Sequence, residues 1–200
     1  MFLTQDIDDA ISVLQSGGIV VYPTETSYGI GCDATNATAV LKVFSIKHRA
    51  EGKGVTVLLP SNDAFGESFV TWNDALRLIA EKFWPGPLNI ILSMQPSSSS
   101  IAEQCCTNGT IAVRRSSHEI ANKLVDALEV PLVSTSANIS GEKELYSAQE
   151  IFDRFAKESE QPDCILDAGT IETNLPSTLV AWDEETKKVV VLRQGAITIA

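Results

Sequence analysis

The chain has 200 residues, enough for one domain with a sizeable core, and 44% of them are hydrophobic. Its net charge of −11 excludes a protein that coats nucleic acid through its whole surface, because phosphate binding needs basic side chains at many contacts. No apolar run of about 18 residues could span a bilayer, and Met1–Asp6 lacks the basic-then-apolar order of a signal peptide, so the expectation is a cytoplasmic protein with no membrane partner.

Thr4 to Gln15 carries Ile7, Ala10, Ile11 and Leu14 at helical spacing, with Thr4 placed to cap the start and Gly17 to stop the end. Ile19–Tyr22 is a β-branched run of the kind that forms a buried strand, and Pro23 ends it because proline has no N–H for the ladder. Thr24, Glu25 and Thr26 then stand at a strand's carboxyl end, where open α/β sheets take their ligands. Gly29 and Gly31 let the backbone approach a ligand closely, although a polar turn between core elements explains the same residues as well.

Thr35 or Asn36 is placed to cap a second helix, whose apolar face is Val40, Leu41 and Phe44 and whose end falls near Ile46. Lys47, His48 and Arg49 follow at its C-terminus, where basic residues complement the helix dipole without any ligand. Val55–Pro60 reads as a strand, and Leu76, Ile79, Ala80 and Phe83 as a helix ended by Trp84-Pro85-Gly86-Pro87. Leu88–Leu92 is the next strand. Gln95–Gly109 lacks apolar periodicity and fits either a lid over a site or a surface excursion.

Thr110–Arg114 reads as a strand ending in a cation, and Ile120, Ala121, Leu124, Val125 and Leu128 as the following helix. Pro131–Val133 leads into Ser134-Thr135-Ser136-Ala137-Asn138, again hydroxyls and an amide at a strand end. Ser147 to Glu150 is a capping box before Ile151, Phe152 and Phe155. Cys164–Leu166 follows, then Pro176–Trp182 and Val189–Gly195 as a hairpin or neighbouring strands, with Ser177 and Arg193 near their ends. Neither a repeat nor a linker divides the chain. The expected fold is α/β, a single-domain twisted mixed β-sheet with flanking helices.

Cys32, Cys105, Cys106 and Cys164 offer no C-x-x-C pair and no zinc spacing, so buried or idle thiols and no protein-bound metal are expected. His48 and His118 have no evident triad partners, and Gly52-Lys53-Gly54 lacks the remaining parts of a Walker A loop. What recurs is Lys, Arg, Ser, Thr and Asn at strand ends. Cations offset phosphate charge and hydroxyls and amides fix orientation, which points to a nucleotide-binding enzyme outside the P-loop and Rossmann families.

Several fragments in order are similar to one family. These are Tyr22-Pro23-Thr24-Glu25-Thr26-x-Tyr28-Gly29-x-Gly31-Cys32-Asp33, Lys47-x-Arg49, Trp84-Pro85-Gly86-Pro87-Leu88, Ala112-Val113-Arg114, Ser134-Thr135-Ser136-Ala137-Asn138-x-Ser140-Gly141, Ser177-Thr178 and Arg193-Gln194-Gly195. Together they resemble the YrdC-domain proteins, L-threonylcarbamoyladenylate synthases, in the short bacterial form: one YrdC-like domain over 1–200, with the core match at about 8–196, and no second domain.

The resemblance implies a YrdC-like fold and a synthase that joins L-threonine, bicarbonate and ATP into threonylcarbamoyl-AMP and releases pyrophosphate. It also implies partner proteins that transfer the threonylcarbamoyl group to tRNA, with possible contact to tRNA or double-stranded RNA. By family match Thr26, Arg114, Ser134 and Ser177 would hold threonine, and Lys47, Arg49, Lys53, Thr110, Ser136, Asn138 and Arg193 would contact ATP. Lys47 and Arg49 are the expected catalytic cations, with Mg²⁺ on the triphosphate. Ala50 stands where the family commonly has proline, Ser27 replaces a usually apolar residue, Arg115 adds a charge, and Lys53 falls where longer relatives often have asparagine. The competing expectation is a non-catalytic module of the same fold that holds nucleotide or double-stranded RNA. The YciO-like branch departs at Ser-x-Asn, whereas Ser136-Ala137-Asn138 is intact here.

Overall fold

β-branched and apolar runs become strands of one mixed sheet, and the amphipathic stripes become helices packed on it. The computed structural model describes residues 1–50, 52–61, 68–95 and 100–199. Its first half contains β1 (Phe2–Thr4), α1 (Ile7–Gln15), β2 (Val20–Pro23), β3 (Tyr28–Gly31), α2 (Ala37–Ile46), β4 (Thr56–Leu58), β5 (Val70–Thr71), α3 (Asp74–Phe83) and β6 (Leu88–Met94). There follow β7 (Thr110–Arg114), α4 (Glu119–Leu128), β8 (Leu132–Ser136), α5 (Ala148–Phe155), β9 (Cys164–Leu166), β10 (Thr178–Asp183) and β11 (Lys188–Arg193).

The strand order is β1-β9-β2-β3-β8-β4-β7-β6-β10-β11, with β5 added to β6. Pairings β1–β9, β2–β9, β4–β7 and β6–β10 are parallel, and the rest are antiparallel. The sheet is therefore mixed, as the uneven alternation of strand and helix patterns predicts.

Two local expectations change and one is narrowed to a single residue. The first helix is capped by Asp6, whose carboxylate accepts from Asp8 N at 3.0 Å, while Thr4 belongs to β1. Asn36, not Thr35, caps α2, accepting from Ala39 N at 3.1 Å. The Gly29 and Gly31 stretch is strand β3, and Gly31 serves the sheet rather than a ligand: a Cβ there would lie 1.7 Å from the Val133 carbonyl oxygen. In the Gln95–Gly109 stretch, read as either a lid or a surface excursion, Glu103–Cys105 form a 3-10 turn and Thr107 and Thr110 bridge, while 96–99 lie outside the described residues.

Alternation along the strands divides the interior in two. Ile19, Val21, Ile30, Val57, Ile90 and Val113 face the larger core, shared with α2, α3 and α5 residues such as Val43, Leu76 and Ile151. Val20, Tyr22, Leu58 and Leu132 face a smaller core closed by α1 and α4 through Ala10, Leu14, Ala121 and Leu124. These two helices cover one part of their face. Next to them Thr56, Ala112, Ser134 and Asn89 are left open on the same side, and a cavity forms over them.

Candidate active site

The cavity has a volume of about 380 Å³. Its floor is the open sheet face: Thr56 from β4, Asn89 and Ile91 from β6, Thr110, Ala112 and Arg114 from β7, Ser134 and Ser136 from β8, and Leu179 from β10. Register explains the grouping, because Gly29 opposes Ser136, Thr56 opposes Ser134 and Ala112, and Ile91 opposes Ala112, and opposed residues share a face. Thr24, Thr26, Arg49, Glu144, Ser177 and Arg193 are among the wall residues. Arg49, Arg114 and Arg193 against Glu144 give the lining an excess of positive charge, although the whole chain carries −11.

The turn after β2 is built around one hydroxyl. Thr24 Oγ1 donates to Ser27 O at 2.6 Å and accepts from Thr26 N at 3.2 Å, and it lies 3.1 Å from Thr26 Oγ1. Thr26 is thereby fixed on the wall. Between these threonines Glu25 points to Arg114: its Oε1 lies 2.5 Å from Arg114 Nη2 and accepts from Ser117 N at 3.1 Å, and its Oε2 accepts from Ser116 Oγ at 2.5 Å. Burial pushes the Glu25 carboxyl up, but Arg114, Ser116 and Ser117 outweigh it and hold the group below its ordinary value. The pair holds a buried guanidinium in one orientation. Arg114 Nη1 donates to Ser177 Oγ at 2.6 Å, and its buried Nε has no partner among the described residues.

The loop before β10 and the end of β11 are joined by Arg193, whose Nε and Nη2 donate to Ser177 O at 3.1 and 2.8 Å. Arg49 is held by its donations to Lys53 O at 3.0 Å and Gly54 O at 2.6 Å. Thr110 Oγ1 donates to Thr107 O at 2.8 Å, and Ser136 Oγ to Asn138 Oδ1 at 2.7 Å. Thr26, Arg49, Thr110, Arg114, Ser134, Ser136, Ser177 and Arg193 of the sequence-predicted site all line the cavity.

Lys47, Lys53 and Asn138 do not line it. Lys47 is buried, and its Nζ donates to Ser136 O, to Asn138 O at 2.7 Å and to Asn138 Oδ1 at 3.2 Å. Burial, then the charge of Arg49, lowers the amine to about 7 against the pull of Glu144. The Asn138 amide is used internally as well, Nδ2 donating to Glu142 O at 2.6 Å. Lys53 is exposed and offers Arg49 its carbonyl. Lys47 and Asn138 thus brace the turn carrying Ser136 from behind the wall.

Sequence reasoning left Glu25 without a role and passed over Asn89 and Glu144. A usable signal for Asn89 existed, since it is the amide inside the apolar run Leu88–Leu92. Cys105 reaches the lining, but burial pushes its thiol up to about 12, which leaves it protonated and inert. All four cysteines are free, and among the described residues no cluster of His, Cys, Asp and Glu could hold a metal ion.

A polar, cation-lined cavity on the open face of a mixed sheet is of a kind that suits a small anionic molecule in an α/β protein. The family described as telomere recombination (Sua5, YciO and YrdC) matches residues 12–195, and the chain belongs to it. It is 32% identical over 192 residues to the threonylcarbamoyl-AMP synthase of Pyrococcus abyssi (strain GE5 / Orsay), covering 95% of this chain and 54% of that protein. The chain thus spans about half the length of this curated relative. The structure of P. abyssi Sua5 complexed with L-threonine superposes with a TM-score of 0.83 at 30% identity, covering 94% of this chain and 54% of that one. E. coli YciO gives a TM-score of 0.77 at 26% identity, covering 94% of this chain and 88% of its own. The mixed sheet with flanking helices is the family fold.

Proposed function

We propose that this chain synthesises L-threonylcarbamoyl-AMP from L-threonine, bicarbonate and ATP, releasing pyrophosphate, and so supplies a tRNA-modification reaction. The observation that carries this reading is Arg114, fixed between Glu25 and Ser177 and lining a cavity whose other cations are Arg49 and Arg193. One end suits a carboxylate and the other a polyphosphate. The threonine-bound relative at 30% identity supports the same assignment.

In this reading threonine lies on Arg114, Ser177, Thr26 and Ser134. Its amine combines with bicarbonate to give a carbamate and water. A carbamate oxygen then forms a bond to the α-phosphorus of ATP, and the bond from that phosphorus to the pyrophosphate oxygen breaks. No group has to hold a proton during this displacement, so the chain acts by alignment and charge. Arg49 and Arg193 offset the two anions that must meet, and Thr110 and Ser136 fix the nucleotide. Lys47 and Asn138 keep Ser136 in place from behind, and Lys53 contributes the carbonyl that orients Arg49. The hard oxygen of Glu144 on the wall fits Mg²⁺ arriving on the triphosphate, where the ion would neutralise phosphate charge.

Transfer proteins that carry the threonylcarbamoyl group onward, a single-domain organisation over the whole chain and a cytoplasmic location complete the proposal. Among the described residues no helix is long and apolar enough to cross a membrane. The test is incubation with ATP, threonine and bicarbonate, with pyrophosphate and the acyl adenylate followed together. Both should appear only when all three substrates are present; pyrophosphate release indifferent to threonine would overturn the synthase reading.

A further inference from the structure

Arg49 keeps its place on the cavity wall through a loop that has little to hold itself. Its Nε and Nη2 donate to Lys53 O at 3.0 Å and Gly54 O at 2.6 Å, which leaves further N–H groups of the guanidinium for an anion. Those carbonyls belong to a stretch in which Gly52 has φ +81° and Lys53 is exposed. With glycine at both 52 and 54, the backbone loses much freedom when it is ordered. Its far end is tied by Val55 N, which donates to Cys105 O at 3.2 Å.

The rest of the order comes from a neighbouring turn. β4 and β7 are parallel neighbours, so the loop that leads into β4 and the turn that leads into β7 lie side by side. From that turn Thr107 Oγ1 accepts from Gly54 N at 2.7 Å and donates to Gly52 O at 3.2 Å. One hydroxyl thus grips the loop on both sides of Lys53. The turn itself is closed by two backbone bonds of 2.9 Å, Thr107 N to Thr110 O and Thr110 N to Thr107 O. Asn108 and Gly109 between them have φ 50° and 73°, the Asn-Gly pattern of a tight hairpin turn. The fit to the loop is close. A Cβ on Gly54 would lie 2.7 Å from Thr107 Oγ1 and 2.9 Å from Cys105 O, so glycine is what lets the hydroxyl reach the N–H.

We propose that Thr107 is a positioning residue: its hydroxyl holds the 52–54 loop, the loop's carbonyls aim Arg49, and Arg49 meets the anion. This deepens the proposed function and rests on it for the identity of that anion, the triphosphate of ATP. Without the hydroxyl the loop samples arrangements in which Lys53 O and Gly54 O no longer line up with the guanidinium. Apparent affinity then falls in proportion to the fraction of molecules that remain competent. Thr107 thereby sets the affinity for an anion that it need not touch.

Two measurements on the full chain test this. The first needs no substrate: exchange of the Arg49 Nε–H with water, followed by NMR at mildly acid pH on the resonance that Arg49→Lys removes. In Thr107→Val, which keeps the shape and loses the hydroxyl, exchange should quicken about 5- to 20-fold, in the range of one to two hydrogen bonds. Thr107→Ser should restore the parent rate. An unchanged rate in Thr107→Val would overturn the proposal; Thr107→Ala, with its melting temperature measured beside it, repeats the comparison if the valine variant does not fold. The second measurement is calorimetry with ATP and with threonine. Thr107→Val should weaken ATP binding about 5- to 20-fold and leave threonine binding unchanged. Added to Arg49→Met, it should cost nothing more. A full second loss in that background would mean that the hydroxyl meets the nucleotide itself, and would overturn the positioning role. If the unaltered protein binds no ATP while the exchange result stands, the nucleotide reading falls and the grip on Arg49 remains. If ATP binds and Thr107→Val alters neither exchange nor affinity, only the role of Thr107 falls.

Discussion

The same side of the sheet is closed in one place and open in another, and single strands cross the border. In β4, Leu58 lies under α4 while Thr56 faces the cavity; in β8, Leu132 is covered while Ser134 and Ser136 are open. Along β2 and β3, Tyr22 is fully buried while its register partner Gly29 opens onto the cavity. The chemistry of a residue at a given pleat position thus follows the edge of the helix layer. Beyond α1 and α4, hydroxyls, an amide and Arg114 join Ile91, Ala112 and Leu179 on the open face, and the polar ones are held by hydrogen bonds to their neighbours rather than by a core.

Breaking the closed part should cost the fold, and breaking the open part should cost the ligand. The largest effect is expected for Gly31→Ala: the new Cβ would lie 1.7 Å from Val133 O, and the backbone of β3 or β8 must move. Overpacking against backbone should exceed the usual 1–3 kcal/mol, about enough to lose the native state in chemical denaturation. Next is Arg114→Leu, which leaves Glu25 buried without its cation and should destabilise by about 3–5 kcal/mol. Adding Glu25→Leu should recover most of that loss in melting experiments while threonine binding stays absent, which separates the pair's structural share from its ligand share.

A smaller effect is expected from pH. Lys47 is lowered from the ordinary lysine range to about 7, so between these values the unfolded chain binds the extra proton. Stability should therefore rise with pH from about 7 upward until the unfolded lysine also deprotonates, and Lys47→Met should flatten that rise in denaturant titrations. The smallest effect belongs to Gly29→Ala, since the nearest atoms to its Cβ, among them Ser134 Oγ and Thr24 Cγ2, would be at an ordinary 3.5 Å. Its melting temperature should stay within about 2 °C of the parent, equivalent to a surface-like change of about 0.5 kcal/mol or less. A large loss there would refute the view that this stretch of β3 lies on the open side.

Periodicity and punctuation made most of the fold legible. The apolar run of Ile19–Tyr22, the alternation of Thr110–Arg114, the stripe of Leu76, Ala80 and Phe83, and the cap at Ser147 all announce elements that exist. β3 was not legible because two of its four residues are glycines, and the reason for one of them, Gly31, is the nearness of β8. The site was legible as polar strand ends but not as partnerships. Glu25 and Arg114 are 89 positions apart, and nothing local says that one balances the other. Lys47 is the opposite case: its neighbours mark a cation beside Arg49, whereas the fold turns its amine toward the carbonyls of Ser136 and Asn138, away from the cavity. Pattern fixes which face a side chain takes, and only the sheet order fixes whom it meets there.

The rim of the cavity is fastened at the sheet's margin. Arg193 closes β11, which pairs with β10 on one side alone, and its neighbours Val191 and Leu192 are 41% and 55% exposed. Such a margin frays before the interior opens. When β11 peels away, Arg193 releases the Ser177 carbonyl, and Ser177 is the residue against which Arg114 is steadied. Amide exchange along β11, rather than the global melting temperature, therefore sets how long the pocket stays assembled, and a protein still folded by every bulk measure can already have lost its ligand.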